Sequence, residues 1–388
     1  MLAQSPPLPL VIDYRGTDIT PEDEEAIILA LAQRDRVRRI RFYLPVLKLQ
    51  RFIVAIDREY PILECLILDG PFEERSTVLI LPETLQTPHL RHLMIDRSSL
   101  IRSPLLATAV GLVTLYVALY HPSTYFQPTV LLQSLSLIPQ LEILVIAFHF
   151  PVPDHDMERQ LMRPPKATHV TLPNLRFFAL RVVSAYLEAV LSRITSPRLE
   201  DLRISYRKQL TFPIPQLLQF MGRIENLRFD CAEFHFDSER VYVMVKSPKT
   251  NMPMKVFFIN LDCWHLDWQV SSMAHIFNSH SQIFSPVEHL TLAHQAHSRS
   301  SEEHNEVEPT EWRRLLGSFS NLKTLRIEDG LVREFSHCLR LEDGEHPLEL
   351  LPELRELTYS KSGNADDIFT PFIDARLNAG RPVTLIKS

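Results

Sequence analysis

The sequence predicts an α/β solenoid: a horseshoe with a parallel sheet on its concave side and helices on its convex side. Three observations lead to this fold class. Leucine occurs 58 times among 388 residues, an apolar six-residue pattern recurs along the chain, and stretches with helix start and stop signals separate its copies. Repeated units of this size cannot bury their apolar faces alone, so they stack on one another.

The recurring pattern is L-x-x-L-x-L, with Ile, Val, Phe or Tyr replacing some leucines. Successive copies begin about 22 to 35 residues apart, except for one longer gap, and this is the spacing of solenoid repeats. Because alternate side chains of a strand point to opposite faces, the fourth and sixth positions enter the core, and the third and fifth face the concave side. The copies occupy residues 37–42, 63–68, 90–95, 112–117, 141–146, 175–180, 199–204, 224–229, 287–292, 322–327 and 354–359.

Helices are predicted between the strands. Thr20 suits a helix N-cap, Pro21 suits the first helical position, and the acidic residues after it oppose the positive end of the helix. Gly380 stands where a left-handed helix end favours glycine. Alternating strands and helices imply a right-handed coil. Further helices are predicted at 47–60, 130–138, 185–194, 215–222, 268–280, 310–319, 331–339 and 366–379.

The predicted domain organisation is simple. We expect an N-terminal segment with a capping helix at residues 1–36, followed by an irregular solenoid at 37–388. An acidic, histidine-containing stretch without apolar periodicity predicts a loop insertion at 293–309. The long gap after 224–229 is expected to hold one degenerate unit with an extra strand pair, within 240–263.

Composition and charge exclude several functional classes. Nine glycines leave little material for phosphate-binding loops, and a formal net charge of −6 gives no general attraction to nucleic acid. The cysteines form no C-x-x-C pair and predict reduced thiols, and the N-terminus does not read as a secretory signal. We therefore expect a cytoplasmic or nuclear protein. The cysteines are Cys65, Cys231, Cys263 and Cys338.

An uncharged stretch at 103–141 contains a nearly continuous apolar run at 105–120. This run is shorter than the about 20 residues that a membrane span needs, and no cluster of Lys or Arg flanks it. It also contains one copy of the repeat. The sequence therefore predicts a buried core segment and no membrane contact.

Motifs that carry chemistry are not found in the sequence. G-x-G-x-x-G, G-x-x-x-x-G-K-[ST], G-x-S-x-G and H-E-x-x-H do not occur. The spacing of His289, His294, His297 and His304, with Glu302 nearby, matches no common zinc site. We predict no catalytic residue, metal or cofactor. The alternative is a hydrolase within 293–309, which clustered Ser, His and acidic side chains would support.

The concave side is the predicted binding surface. Its third and fifth positions are mostly apolar in the middle units and carry arginines towards the ends. A contiguous apolar patch with an arginine rim is typical of a protein-binding surface. Alternatively, loops or tight curvature cover this strip and make it ordinary core. The predicted partner-binding residues are Ile67, Met94, Tyr116, Ile143, Val145, Phe177, Arg203 and Arg228.

This repeat pattern resembles the leucine-rich-repeat family. The irregular spacing, and the segments at 6–12, 20–27 and 36–40, are similar to the leucine-rich part of fungal, basidiomycete-type F-box proteins. The resemblance covers nearly the whole chain. It implies a non-enzymatic module that recruits a protein substrate for a ubiquitin ligase, with Skp-type adaptor docking only if an F-box is encoded upstream. The alternative is a structural or regulatory repeat protein unconnected to ubiquitin.

Overall fold

The computed structural model describes residues 8–71, 78–96, 105–150, 169–207, 214–224, 229–247, 256–279, 281–295, 307–328, 330–341, 345–360 and 368–387. The chain divides into two units, Met1–Leu199 and Glu200–Ser388. Strands and helices alternate along the chain in both units.

The first unit contains a parallel sheet. Its strands are β1 (Leu10–Arg15), β2 (Val37–Tyr43), β3 (Cys65–Asp69), β4 (His92–Asp96), β5 (Thr114–Leu119), β6 (Ile143–Phe148), β7 (Val170–Thr171), β8 (Phe177–Val182) and β9 (Ile194–Thr195). Strands β1 to β6 and β8 pair in parallel with their neighbours in chain order, and β7 pairs separately with β9. From β3 onward, each strand of the main sheet begins at the third position of a predicted repeat, so the pattern marks these strands correctly.

The helices of the first unit are α1 (Pro21–Leu31), α2 (Val46–Ala55), α3 (Leu105–Thr108), α4 (Pro128–Ser136) and α5 (Ser184–Leu191). As predicted, the Thr20 hydroxyl oxygen accepts a hydrogen bond from the Asp23 amide at 3.2 Å, and Pro21 is the first residue of α1. Helix α2 ends earlier than predicted. The chain turns after Ala55 and buries Tyr60, whose hydroxyl donates to the Leu31 carbonyl oxygen at 2.9 Å.

The predicted alternation of side chains is confirmed in the first unit. Leu66 and Leu68 of β3, and Leu115 and Val117 of β5, are fully buried at the fourth and sixth repeat positions. The apolar run at 105–120 contains α3, β5 and the residues between them, and all of its leucines are buried, which confirms it as a core segment. Throughout the described ranges, no helix has both the length and the apolar character needed to cross a membrane.

The second unit contains a mixed sheet. Its strands are β10 (Asp201–Arg207), β11 (Cys231–Asp237), β12 (Arg240–Lys246), β13 (Val256–Asp262), β14 (His289–Gln295), β15 (Thr324–Ile327), β16 (Glu356–Tyr359) and β17 (Thr384–Lys387). The order is β10-β13-β12-β11-β14-β15-β16-β17. Strand β12 is antiparallel to both neighbours, and the other pairs are parallel. The extra strand pair predicted in the long gap is therefore present as β12 and β13.

The helices of the second unit are α6 (Pro215–Arg223), α7 (Leu266–Asn278), α8 (Ser281–Phe284), α9 (Pro309–Leu316), α10 (Val332–Cys338) and α11 (Thr370–Asn378). Gly380 follows α11 with a φ of 73°, the left-handed backbone predicted for it. These helices lie between the strands in sequence, so the predicted α/β repeat fold is confirmed.

Two segments of the second unit differ from the prediction. Of the repeat predicted at 224–229, residues 225–228 lie outside the described part of the chain, and it is β11 that pairs with β14, with Cys231 beside His289 at the third repeat position. Phe234 and Phe236 of β11 bury their rings against Phe277 and Trp312, at centroid distances of 5.1 and 5.4 Å. Strand β14 continues to Gln295, inside the predicted insertion at 293–309, because it pairs with β11 to its last residue. Residues 296–306 lie outside the described part of the chain.

Candidate functional site

The side chains at the third and fifth repeat positions form one face of the first unit's sheet, the face that the sequence predicted to be concave. We call it the outer face, because the fourth and sixth positions point into the core. The parallel register places equivalent residues of neighbouring strands side by side, about 4.8 Å apart. The third-position row is Val11, Arg39, Cys65, His92, Thr114, Ile143 and Phe177, and the fifth-position row is Asp13, Arg41, Ile67, Met94, Tyr116, Val145 and Ala179.

Six of the predicted partner-binding residues lie on this face. We call them the apolar strip: Ile67, Met94, Tyr116, Ile143, Val145 and Phe177. Ile143 is 38% exposed and the other five are partly exposed. Leu66, Leu93 and Leu144, which precede three of them on the same strands, are fully buried. The strip is therefore a surface of the unit, and its side chains are accessible to another molecule.

The apolar strip follows an oblique course across the strands. It runs along the fifth-position row from Ile67 to Val145, then moves to the third-position row at Ile143 and Phe177, because the fifth position of β8 is the small Ala179. The third-position row beside its first half is more polar. There His92 Nδ1 and Thr114 Oγ1 lie 3.2 Å apart.

Arginines stand at one end of the apolar strip. By register, Arg41 of β2 neighbours Ile67, and the exposed Arg39 neighbours Cys65. Burial raises the pKa of the Cys65 thiol, although both guanidinium groups act against that shift. The thiol is therefore a neutral neighbour of the strip at physiological pH, and the positive charge at this end belongs to the arginines.

Carboxylates stand beside the centre of the strip. Asp69 ends β3 and Asp96 ends β4, next to the strand that carries Tyr116. Burial raises the pKa of Tyr116, and the negative charges of Asp96 and Asp69 raise it further. The phenol therefore stays protonated at neutral pH and can donate a hydrogen bond from the middle of an apolar surface.

The two remaining predicted residues are placed differently. Arg203 lies on β10 in the second unit, and its guanidinium forms a two-pronged ion pair with Asp201, with Nη2–Oδ2 and Nε–Oδ1 distances of 2.9 and 3.0 Å. Its charge is thus matched within the chain. Arg228 lies outside the described residues.

The second unit carries an outward aromatic group that the sequence analysis did not single out. His235, Tyr242 and Phe258 stack across β11, β12 and β13, with centroid distances of 4.6 and 6.1 Å. An ion pair between Lys246 and Glu233 lies beside them, at 2.5 Å. The strict alternation of residues 240–246 signalled a strand. Only the pairing of the strands shows that these three rings adjoin.

The described residues contain no group of three or more His, Cys, Asp or Glu side chains that could hold a metal ion. His297 and His304 of the histidine group lie outside them. A groove of about 690 Å³ in the second unit has no titratable group among the described residues that line it, which are Pro215, Gln216, Leu218, Gln219, Gly222, Ser279, Ser281, Gln282 and Ile283.

Short parallel strands, each drawn from one leucine motif and mostly followed by a helix, define a leucine-rich-repeat type of α/β protein. Comparison with family models and with the sequences of curated proteins gives no match. Among solved structures, the chain is similar to the leucine-rich repeat-containing protein LegL7 from Legionella pneumophila, with 11% identity and a TM-score of 0.34, over 94% of this chain and 97% of that one. A likeness of this size carries no argument about function, so the functional interpretation rests on the surface of the chain itself.

Proposed function

We propose that this chain is a protein-binding repeat module, and that the apolar strip of the first unit holds the partner. One observation carries the proposal: the strand register brings six apolar side chains onto one accessible face, while the leucines between them stay buried. A contiguous apolar surface with charged residues at its edge is what a protein-binding site requires.

The strip is suited to binding because it is already ordered. Its side chains stand on hydrogen-bonded strands, so little conformational entropy is lost when a partner covers them. Tyr116 and Phe177 are the expected anchors, since aromatic side chains dominate the binding energy of most interfaces. Contact with a partner removes the exposed part of each apolar side chain from water, at about 25 cal/mol per Å².

The partner that fits is a protein segment with apolar side chains and an acidic flank. Arg39 and Arg41 lie where carboxylates of that flank would reach them, and arginine pairs with carboxylates through two parallel hydrogen bonds. The sequence resemblance supports a narrower form of this proposal, substrate recruitment for an F-box ubiquitin ligase. A structural or regulatory role unconnected to ubiquitin is the alternative.

A purified Skp-type adaptor discriminates between these two forms. The product of the full-length gene should capture the adaptor if the module serves a ubiquitin ligase. If it does not, the structural or regulatory role is favoured, and protein binding by the strip is still to be tested by itself.

The test of the strip uses a photo-crosslinking residue at position 116 and, as a control, at position 54. Val54 lies on α2 of the same unit and is 64% exposed. We expect position 116 to capture a partner that position 54 does not. With that partner purified, Val145→Asp should weaken binding more than tenfold, because it puts a charge into the apolar contact, and Val54→Asp should leave binding unchanged. Equal affinities of the two variants would contradict the proposal.

A further inference from the structure

Two exposed tryptophans lie four residues apart on the second unit. Trp264, in the turn after β13, is 70% exposed, and Trp268, in the first turn of α7, is 46% exposed. The ring of His265 packs edge-on against Trp268, with a centroid distance of 4.6 Å. The remaining tryptophan of the chain, Trp312, is fully buried. We call Trp264, His265 and Trp268 the tryptophan cluster.

Buried hydrogen bonds hold the backbone around this cluster. The side chain of Gln269 is fully buried, and its Nε2 donates to the carbonyl oxygens of Asp237 and Cys263, at 2.8 and 2.7 Å. The Cys263 amide donates to the Glu239 carbonyl oxygen at 2.9 Å. The turn between β11 and β12 is thereby joined to the segment that carries the tryptophans. The indoles are presented by an ordered surface.

The joined turns carry an excess of negative charge. Asp237, Glu239 and Asp267 lie on them with a single guanidinium, that of Arg240, which pairs with Asp237 at 3.2 Å. Asp267 Oδ1 is shielded from solvent and accepts no hydrogen bond from the described residues. A surface that combines exposed indoles with surplus carboxylates is complementary to a cation that has a flat or apolar face.

We propose that the tryptophan cluster binds an arginine side chain of a basic protein segment. A guanidinium is planar and weakly hydrated, so it stacks on an indole face while its N–H groups reach neighbouring carboxylates. A membrane surface, the other common partner of exposed tryptophans, carries negative charge, which the carboxylates of these turns repel. This site shares no residue with the apolar strip. It selects a positively charged partner, whereas the strip fits a partner with an acidic flank.

The test uses the full chain and a synthetic peptide of alternating arginine and glycine, with a glutamate–glycine peptide of equal length for comparison. Titration is followed by calorimetry and by tryptophan emission, in which Trp264 and Trp268 report contact with the peptide because Trp312 is buried. We expect saturable binding of the arginine peptide alone. Trp264→Ala should weaken it about tenfold, because the cation–π contact with the indole face is lost. Glu239→Gln should weaken it about threefold.

Three variants make the result specific. Leu47→Ala removes an equally exposed apolar side chain from the first unit, and Glu83→Gln removes an exposed carboxylate there. Both should leave the affinity unchanged. Trp264→Phe, which keeps an aromatic face, should retain most of it. The proposal is overturned if Glu83→Gln and Glu239→Gln weaken binding equally, if Trp264→Phe loses as much affinity as Trp264→Ala, or if the glutamate peptide binds as well. It is also overturned if vesicles of phosphatidylcholine and phosphatidylserine are bound and the arginine peptide is not.

Discussion

The outer sheet faces of the two units differ, although both arise from the same leucine motif. In the first unit, every pair of strands in the main sheet is parallel, and the outward positions form the apolar strip. In the second unit, the antiparallel strand β12 interrupts the pattern, and its outward positions carry stacked rings and ion pairs. The leucine motif therefore determines the core and leaves the outer face free to vary.

This difference has a thermodynamic consequence. An ion pair such as Lys246–Glu233 already satisfies its charges, and a partner would have to desolvate it before gaining anything. The partly exposed side chains of the apolar strip gain free energy as soon as a partner removes them from water. For this reason we propose that the apolar protein-binding surface lies on the first unit, and that the second unit has a separate contact, which selects a basic protein segment by its charge.

The largest effect on the free energy of unfolding is expected for substitutions in the core of either unit, because the leucine motif builds both cores. Leu115 and Leu290 occupy the fourth repeat position in the first and second units, and both are buried. Leu115→Ala and Leu290→Ala should each lower the free energy of unfolding by about 3 kcal/mol, from lost burial and the cavity that remains. Urea denaturation measures both. A much smaller loss at one position would show that the two cores are not equivalent.

The next largest effect on the free energy of unfolding is expected for a buried arginine of the second unit. The buried guanidinium of Arg376 donates to the carbonyl oxygens of Pro347, Leu351, Pro352 and Leu354, at distances of 3.1 to 3.3 Å. Arg376→Met leaves these acceptors without their donor, and should cost about 2 kcal/mol of unfolding free energy. Arg381→Met is the control, because the Arg381–Glu353 pair is exposed and long, at 3.8 Å. Equal losses in the two variants would contradict this role of Arg376.

A pH-dependent effect is expected in the first unit. Burial raises the pKa of Tyr60 to about 12, above its value of about 10 in an unfolded chain. The folded state holds this proton more tightly, so its contribution to stability is present below pH 10 and is lost as the pH rises towards 12. Tyr60→Phe should cost about 1 kcal/mol at pH 8, for the lost hydrogen bond to Leu31.

The difference between Tyr60→Phe and the natural protein should shrink as the pH is raised from 9 towards 11.5, because phenylalanine cannot ionise. Chemical denaturation across that range measures it, with Tyr43→Phe, on the exposed side of β2, as the control. A constant difference would show that Tyr60 is not protected from ionisation by the fold.

The smallest effect on stability is expected in the apolar strip. Ile143→Ala should change the unfolding free energy by about 0.5 kcal/mol, because the side chain is 38% exposed and its removal leaves no enclosed cavity. Its buried neighbour Leu144, changed in the same way, is the comparison. If Ile143→Ala costs as much as Leu144→Ala, the strip is part of the core, and the proposed binding surface should be given up.

Much of the first unit could be predicted from local patterns. The strands from β2 to β8 in the main sheet follow the leucine motif, and Thr20 caps α1, because alternation and capping depend on neighbouring residues. Strand β1 was not predicted within residues 1–36. Its outward side chains are Val11, Asp13 and Arg15, a weak pattern, and it becomes a strand by pairing with β2.

The candidate sites also differ in how far local sequence patterns predict them. The outward direction of Tyr116 and Val145 follows from alternation alone, and so the strip could be proposed before its geometry was known. The stacked rings of His235, Tyr242 and Phe258 could not, because their contact depends on the antiparallel pairing of β12. The tryptophan cluster depends on the buried side chain of Gln269, which joins segments distant in sequence.

The sequence by itself determined which segments become strands in the repeats and which side chains point into the core, because both follow from a period of two within a few residues. The tertiary structure alone decided which strands become neighbours, and therefore which outward side chains meet to form a surface. Those neighbours are joined by hydrogen bonds between residues far apart in the chain, and no local pattern specifies that pairing.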